Sequence, residues 1–586
     1  MSDNMSTTNP TNTLNKARLA ELLARARAGA TKVVMPSAAA TTVTTNTAAP
    51  AVTSSVGMHG EAISYNPKQQ EIITLATSGK DCVLLGAAGT GKSTCQRGVV
   101  STLIAENKAG ILADDGHKHL KPGTPSILIC AYTRRAVNNI RKVMPANMRD
   151  NCITIHKLLE YAPVYYEEYD DVQGKDVKTM RFEPTRNHMR PLSSSITTVI
   201  FEESSMIGTE LFAEVLTALP HTVQFIFIGD IQQLPPVFGS AVLGYKMLEL
   251  PVVELTEVYR QALESPIIRL AHRILSGKPI AAEEFTDWNV ENKLKLHPWK
   301  KRLSPDIGIL TIAKFFHAAL DAGSYNPETD MILIPFNKSF GTEEVNRHIA
   351  QHIATSKGET VHEVVAGFNK HYYAVGDKVM YEKEDAIITH ISINGTYIGT
   401  RFAEASPLLD RWGNYRTPET ADAETVHATA QETSEEDIDA LLADMSFSGS
   451  DGEEERKRES SHVITLRLLE SNEEVTINTA AAVNAMMLGY AITVHKAQGS
   501  EARKVFVIIH QSHSSMIQRE LLYTAVTRAR ESLYVICEPD TFIRGIEKQK
   551  IKGETLAEKA VFFKGKLDRK EQQSSIVRLT TQETYP

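Results

Sequence analysis

Stretches built on short unbroken apolar runs, each closed by glycine or polar residues, recur along this chain at positions 83–85, 126–131, 197–201, 224–228 and 331–335. Runs of this kind, without apolar-polar alternation, predict strands buried on both faces, the condition of a parallel sheet covered by helices. After the first run the period changes: Val99, Leu103 and Ile104 follow Ser93 at the spacing of one helix face. The expectation is an α/β protein, with the first four runs in one unit and the run at 331–335 opening a second. Two stretches break the rhythm. Residues 161–186 carry V-Y-Y-E-E-Y, then Q-G-K, then V-K-T-M-R-F, which predicts a β-hairpin inserted in the first unit. Residues 375–380 and 393–399 read as short strands with glycine turns, predicting a small β-barrel inserted in the second; the strand pattern returns at 463–467.

Composition sharpens this picture. The chain has 586 residues, 42% of them hydrophobic, enough for several domains with their own cores. No apolar run approaches the roughly 18 residues of a membrane span, so a soluble, cytoplasmic protein is expected, in a bacterial or phage-infected cell. Five cysteines show neither C-x-x-C nor zinc spacing, which suits a reducing compartment and assigns them no metal. The net charge is −8, yet positions 417–459 hold fourteen acidic and three basic residues; without that −11 the remainder carries +3. A nucleic-acid groove on the remaining body is therefore allowed. Residues 1–58, rich in Ser, Thr, Ala, Asn and Pro, read as disordered, with a short basic amphipathic helix around Leu14, Leu19, Leu22 and Leu23. That helix reads equally as a fraying tail or a partner-docking motif, and its Arg and Ser content is also that of an organelle transit peptide. The acidic insertion reads as a solvated loop, with a partner-binding motif as the alternative. Residues 541–586 read as a charged tail whose strong apolar feature is Phe562 with Phe563.

The chemistry concentrates where strands end. Gly86, Ala87, Ala88, Gly89, Thr90, Gly91, Lys92, Ser93 and Thr94 fit G-x-x-x-x-G-K-[ST] between a predicted strand and helix. Such a loop turns successive N–H groups onto phosphate oxygens at a helix N-terminus, with Lys92 reaching the β- and γ-phosphates and Ser93 on Mg²⁺. Gln69, shortly before it, has an amide able to read an adenine edge. Glu202 and Glu203 close the run at 197–201; in a phosphate-loop protein the first would hold the Mg²⁺ shell and the second would polarise the attacking water. Gln233 follows the next run, placed to sense the γ-phosphate or orient water. Thr133 and Arg134, His156, and the cluster Thr493, His495 and Lys496 offer donors to phosphates at strand ends. Tyr165, Tyr166 and Phe182 on the hairpin serve either cross-strand packing or stacking on a base.

The motifs G-A-A-G-T-G-K-S, F-E-E-S-S-M, G-D-I-Q-Q-L-P-P-V and L-T-E-V-Y-R-Q, in this order, resemble those of superfamily 1 helicases. The likeness is to the RecD, Dda and Pif branch, especially Dda-type phage enzymes, and runs from about Tyr65 to about Val535. It implies two RecA-like parallel-sheet motor domains in tandem, ATP and Mg²⁺ as cofactors, and 5′ to 3′ translocation on single-stranded DNA with duplex separation at forks. It implies further that Gln69 reads adenine and Gln233 senses the γ-phosphate. Arg260 and Arg528 would neutralise phosphate charge across the cleft, and Thr133 and His156 would touch the DNA backbone. The hairpin would be the strand-separating pin. The family usually has Asp-Glu where this chain has Glu202-Glu203.

The organisation expected is a tail at 1–58, a first motor domain at 59–265, a linker and start of the second at 266–370, the barrel at 371–480, interrupted by 417–459, and the rest of the second motor domain at 481–540. The rival reading is an ATP-driven single-strand remodeller or RNA-directed helicase. A monomeric motor in replication, recombination or repair is expected.

Overall fold

The computed structural model describes residues 54–56, 62–106, 108, 126–170, 175–236, 240–258, 263–299, 303–338, 340–367, 369–381, 384–395, 459–469 and 472–566. The N-terminal helix, Arg260 and nearly all of the acidic insertion lie outside these residues, as do the side chains of Tyr165 and Tyr166.

The first unit contains α1 (Pro67–Thr77), β1 (Cys82–Gly86), α2 (Lys92–Ala105), β2 (Ser126–Ala131), α3 (Arg134–Val143), β3 (Cys152–Thr154), the hairpin strands β4 (Tyr161–Asp170) and β5 (Lys175–Pro184), β6 (Ile196–Phe201), α4 (Thr209–Ala218), β7 (Gln224–Gly229), α5 (Val242–Glu249) and β8 (Val252–Leu255). Its sheet has the order β8-β1-β7-β6-β2-β3, every pairing parallel. The unbroken apolar runs have a direct cause in this sheet. Val83 and Leu85 face one core layer with Leu128, Val199 and Phe227, while Cys82 and Leu84 face the other with Ile127, Ile200 and Ile226. Both parities are buried, so neither can be polar.

The second unit follows with α6 (Pro266–Leu275), β9 (Leu294–Pro298), α7 (Pro305–Asp321), β10 (Asp330–Ile334) and α8 (Thr342–Lys357). The insertion then supplies β11 (His362–Ala366), β12 (Asn369–Tyr373), β13 (Lys378–Tyr381), β14 (Glu384–Ile393), β15 (Glu459–Leu468), β16 (Glu474–Thr479) and β17 (Met487–Leu488). The unit closes with β18 (Ala491–Thr493), β19 (Ala502–Ile509), α9 (Arg519–Val526), β20 (Ala529–Cys537) and α10 (Pro539–Glu547). Its sheet runs β9-β20-β19-β10-β18, again all parallel. The two units are the tandem RecA-like pair.

The insertion differs in detail from a closed barrel. Its strands form an antiparallel sheet in the order β16-β15-β14-β13-β17, with β11 and β12 as a separate hairpin. Among the described residues no ladder joins the two outer strands. The hairpin of β4 and β5 pairs from Tyr161 with Pro184 to Asp170 with Lys175, and Phe182, opposite Pro163, is 56% exposed.

The end of the chain departs from the expected tail. Residues 556–566 are helical, and Ile551 and Phe563 enter a core layer of the first unit. Leu556, Ala560 and Phe563 recur at one-face helical spacing, a short pattern easily hidden among lysines. Among the described residues no helix is long and apolar enough to cross a membrane.

Candidate functional site

The buried strand β1 delivers the chain to Gly86, and the loop that follows depends on glycine. Gly89 and Gly91 have φ of +81° and +89°, and a Cβ on Gly86 would lie 2.4 Å from Thr90 Oγ1. Gly91 caps α2 without any side-chain bond, so the N–H groups of Lys92 and Ser93 at its start are left to whatever occupies the loop, while that of Thr94 donates to the Gly91 carbonyl at 3.1 Å. Lys92 is folded back, its Nζ donating to the carbonyls of Gly86 at 2.7 Å and Ala87 at 3.2 Å. A cleft of about 330 Å³ opens beside the loop, lined among others by Gly86, Thr90, Asp230, Glu254 and His272.

Two carboxylates leave the end of β6. Glu202 is 7% exposed and accepts the N–H of Glu203 at 3.1 Å. Burial, and then the like charge of Glu203, push its carboxyl up to about 8 against the pull of Lys92. A buried acid held protonated beside a second acid fits a divalent cation, which would supply the missing positive charge. Glu203 sits at φ 49°, in the left-handed region, and its Oε2 is buried without a hydrogen-bond partner. That turn releases the carboxylate from strand geometry.

Gln69 shows the same incompleteness. Its Oε1 accepts the Asn66 N–H at 3.1 Å in a capping box at the start of α1, while its Nε2 is buried with no acceptor. One half of the amide is structural, and the donating half fits a nucleotide base.

The opposite wall comes from the second unit. On α9, Tyr523 donates to Asp230 Oδ2 at 2.6 Å and accepts the N–H of Ala88, in the phosphate loop, at 2.7 Å. The Ala88 carbonyl lies 3.3 Å from His272 Nε2. Leu234 is held in the same way: its N–H donates to Thr524 Oγ1 at 3.0 Å and its carbonyl accepts from Gln498 at 2.8 Å. Arg528 ends this row, with Nη2 3.4 Å from Gln233 Oε1 and its other nitrogens on the carbonyls of Thr524 and Ser500. Of the predicted residues, Lys92 acts on Glu202, which bonds Glu203, and Arg528 lies on Gln233; none of the five lines the 330 Å³ cleft itself.

A second contact zone lies at α3. Thr133 caps that helix, accepting from Ala136 N–H at 3.1 Å, and Gly499, at φ +74°, packs so tightly that a Cβ there would lie 2.8 Å from Thr133 Oγ1. Asn139 donates to the Gly499 carbonyl at 3.1 Å. Arg134 is exposed, whereas Arg135 is buried, paired with Asp385 of the insertion and bonded to Ser500. Lys378 approaches the same carboxylate at 3.3 Å. Burial pushes Asp385 up, but Lys378 and Arg135 outweigh it and hold the carboxyl below its ordinary range. Thr493 accepts the Lys496 N–H at 3.3 Å, and Lys496 Nζ lies 3.3 Å from Met487 Sδ. Burial, with Lys550, pulls His495 down to about 4, so its ring is neutral and offers a hydrogen bond without charge. His156 sits between the rings of Tyr132 and Tyr161, at 5.3 and 4.9 Å.

Sequence reasoning did not single out Tyr523, Thr524, Gln498, Asp230, His272 or Arg135 as site residues. Tyr523 and Thr524 did leave a signal: two hydroxyls inside the apolar stretch 521–526, five and four residues before Arg528. Arg135 differs from Arg134 only by which face of α3 it occupies.

Residues 69–239 match a family model described as an AAA domain, and residues 488–536 match one described as the UvrD-like helicase C-terminal domain. The ATP-dependent RecD2 DNA helicase of Deinococcus radiodurans is 26% identical over 453 residues, 77% of this chain and 46% of that protein. The ATP-dependent DNA helicase dda of Enterobacteria phage T4 is 28% identical over 198 residues, 33% of this chain and 37% of that one. The RecBCD subunit RecD of Mycolicibacterium smegmatis is 22% identical over 508 residues, 83% of this chain and 73% of that one. The chain spans about half the length of the RecD2 protein it matches. Among solved structures, Pif1 helicase from Candida albicans aligns with a TM-score of 0.39 at 14% identity, over 86% of this chain and 100% of that one. The two matched segments and the relatives make the chain similar to superfamily 1 helicases of the RecD and Dda kind.

Proposed function

We propose that the chain is an ATP-dependent DNA helicase that moves 5′ to 3′ along single-stranded DNA and separates duplex at a fork. The observation that carries the reading is Arg528, supplied by one parallel-sheet domain and lying on Gln233 of the other, five residues beyond Tyr523, which bonds the phosphate loop. A simple phosphate-loop kinase has no use for a second such domain closing on the first with an arginine. A motor does, because hydrolysis must change how its two domains sit together. The polarity rests on the family resemblance.

In this reading Lys92 leaves the loop carbonyls for the β- and γ-phosphates, and the loop amides and the start of α2 take the remaining oxygens. Ser93 and Glu202 would hold Mg²⁺, which would supply positive charge to the phosphate oxygens. Glu203 accepts the proton of the attacking water and Gln233 fixes that water or the γ-phosphate. Arg528 stabilises the charge in transit, and once phosphate has left, its attraction for the first domain is lost. The resemblance gives Arg260 the same duty. Thr133 and Arg134 on one domain, and Thr493, His495 and Lys496 on the other, are the proposed grips on the strand. They flank the Gly499 contact, where cleft movement must be felt. Opening a duplex costs about 1.4 kcal/mol per base-pair step, and stacking a freed base on an aromatic returns about 1–3 kcal/mol. Exposed Phe182 on the hairpin, with Tyr165 and Tyr166, is the proposed stacking surface. Single-stranded DNA and forks are the proposed partners of a monomeric motor.

Strand displacement from partial duplexes with either a 5′ or a 3′ single-stranded tail, with ATP and Mg²⁺ and with RNA duplexes in parallel, tests this. Displacement only from the 5′-tailed DNA is expected. Displacement only from the 3′ tail would overturn the polarity. DNA-stimulated hydrolysis without displacement would favour a remodeller that strips proteins, and preference for RNA would move the substrate class.

A further inference from the structure

The residues after α10 leave the second domain and finish on the first. At their start they are fixed to α9, the helix that leads to Arg528. The Glu520 carboxylate accepts the N–H of Lys550 at 2.9 and 3.1 Å and that of Ile551 at 2.8 Å. Beside it Arg519 pairs with Glu554 at 2.7 Å and packs on Gly277, where a Cβ would lie 2.1 Å from Arg519 Nη2.

Two side chains of the segment, one beside the Glu520 anchor and one at the far end, belong to the other domain. Ile551 and Phe563 are 4% and 3% exposed and join Val242, Leu243 and Met247 of α5 in one core layer. Phe563 lies so close over Gly244 that a Cβ there would meet its ring at 2.2 Å. Ile551 and Phe563 also line a small cavity together with Ile231, Gln233, Pro235 and Leu243. They therefore lie against the loop that carries Gln233. Between the two anchors Lys559 is buried, in the field of Glu520 and Glu554 on one side and of Asp230 and Glu254 on the other. Glu554 itself lines the nucleotide cleft.

We infer that residues 548–566 are a positioning strap: clamped to α9 through Glu520 and Arg519, and seated against the Gln233 loop through Ile551 and Phe563, they set the approach of Arg528 to Gln233 from outside the cleft. The inference rests on the proposed roles of those two residues. A segment that only filled a core would need one anchor. This one has an anchor on each domain, and each anchor adjoins one of the two groups that meet at the γ-phosphate.

The test uses the full chain with Phe563→Ala, Phe563→Leu, Glu520→Ala and the Phe563→Ala/Glu520→Ala pair. It measures DNA-stimulated kcat, KM for ATP and the thermal midpoint. Phe563→Ala should lower kcat about tenfold with KM for ATP within about threefold, and Phe563→Leu should recover most of the loss. Glu520→Ala removes the acceptor of the Lys550 and Ile551 N–H groups at the other end and should give a similar loss. The pair should lose little more than either change alone, because each already slackens the same strap. If the variants lower the thermal midpoint while kcat per folded molecule stays at the wild-type value, the strap is overturned and the segment is only core. Additive losses in the pair would overturn it as well. Failure of the wild type itself to hydrolyse ATP in response to DNA would count against the motor reading, a separate outcome.

Discussion

Replacing Tyr523 by phenylalanine removes one hydroxyl from the closed cleft and leaves the ring in place. Burial, followed by the charge of Asp230, holds the Tyr523 phenol well above its ordinary range, so it remains a donor at any working pH. Its hydroxyl joins Asp230 Oδ2 at 2.6 Å to the Ala88 N–H at 2.7 Å. A hydrogen bond to a charged group is worth about 1.5–3 kcal/mol, and a buried amide left unpaired costs about 1–3 kcal/mol. Both losses are tempered here. Asp230 keeps the Gln232 N–H on Oδ1 at 3.0 Å, and a cleft of about 330 Å³ admits water to the amide. About 2 kcal/mol against the closed arrangement remains, roughly thirtyfold in the closed-to-open ratio. The freed Ala88 amide is at the same time one that a phosphate oxygen would take, so ground-state ATP binding has nothing to lose. The two consequences separate in steady-state kinetics of DNA-stimulated phosphate release. Tyr523→Phe should lower kcat about thirtyfold and leave KM for ATP unchanged or lower. An unchanged kcat with a raised KM would refute the reasoning, since the hydroxyl would then serve nucleotide binding and not closure.

Three further outcomes follow from other contacts. The Glu202 carboxyl ionises near 4.5 in the unfolded chain and at about 8 in the folded one. Between those values only the folded protein keeps the proton, so without divalent cation stability falls as pH rises from 4.5 towards 8. Mg²⁺ replaces that proton, and its apparent affinity should rise by up to about tenfold per pH unit in the same window, read as its shift of the thermal midpoint; a flat profile would contradict the assignment of Glu202. Asp385→Asn leaves Arg135 and Lys378 buried without a counter-charge and should cost about 3–5 kcal/mol in denaturant unfolding, whereas Arg135→Ala leaves the Lys378 pair standing and should cost less. Gln69→Glu keeps an acceptor for the Asn66 N–H but removes the unpartnered Nε2 donor, so the thermal midpoint should hold while the ATP-over-GTP ratio of kcat/KM falls by about tenfold.

What the sequence revealed and what it hid divide along physical lines. Val83, Leu84 and Leu85 are buried on both faces of a parallel sheet, and nothing but an unbroken apolar run satisfies that, so the strands were legible. The phosphate loop was legible because Gly89 and Gly91 need positive φ, a demand that leaves glycine in the sequence. The contacts between the domains were not. Ala88 and Leu234 offer only backbone groups to Tyr523, His272, Thr524 and Gln498, and a backbone donor carries no residue signature. Arg135 and Arg134 are one letter repeated, and which of them turns inward depends on the insertion that brings Asp385. The last segment was read as a tail because Ile551 and Phe563 bury themselves in a domain hundreds of residues away.

The left-handed backbone at Glu203 sets two selective pressures against each other. A side chain other than glycine or asparagine at φ 49° costs on the order of 1 kcal/mol, and asparagine relieves part of it. With Glu203 in its proposed role of accepting the water's proton, drift towards Asn at position 203 would give a sturdier protein that closes on ATP without hydrolysing it. Glu203→Asn should show this directly, as a higher thermal midpoint with hydrolysis lost. Lineages that keep the acid at this position accept a less stable fold in exchange for turnover, and that exchange would make the residue a marker separating working motors from inert copies of the same architecture.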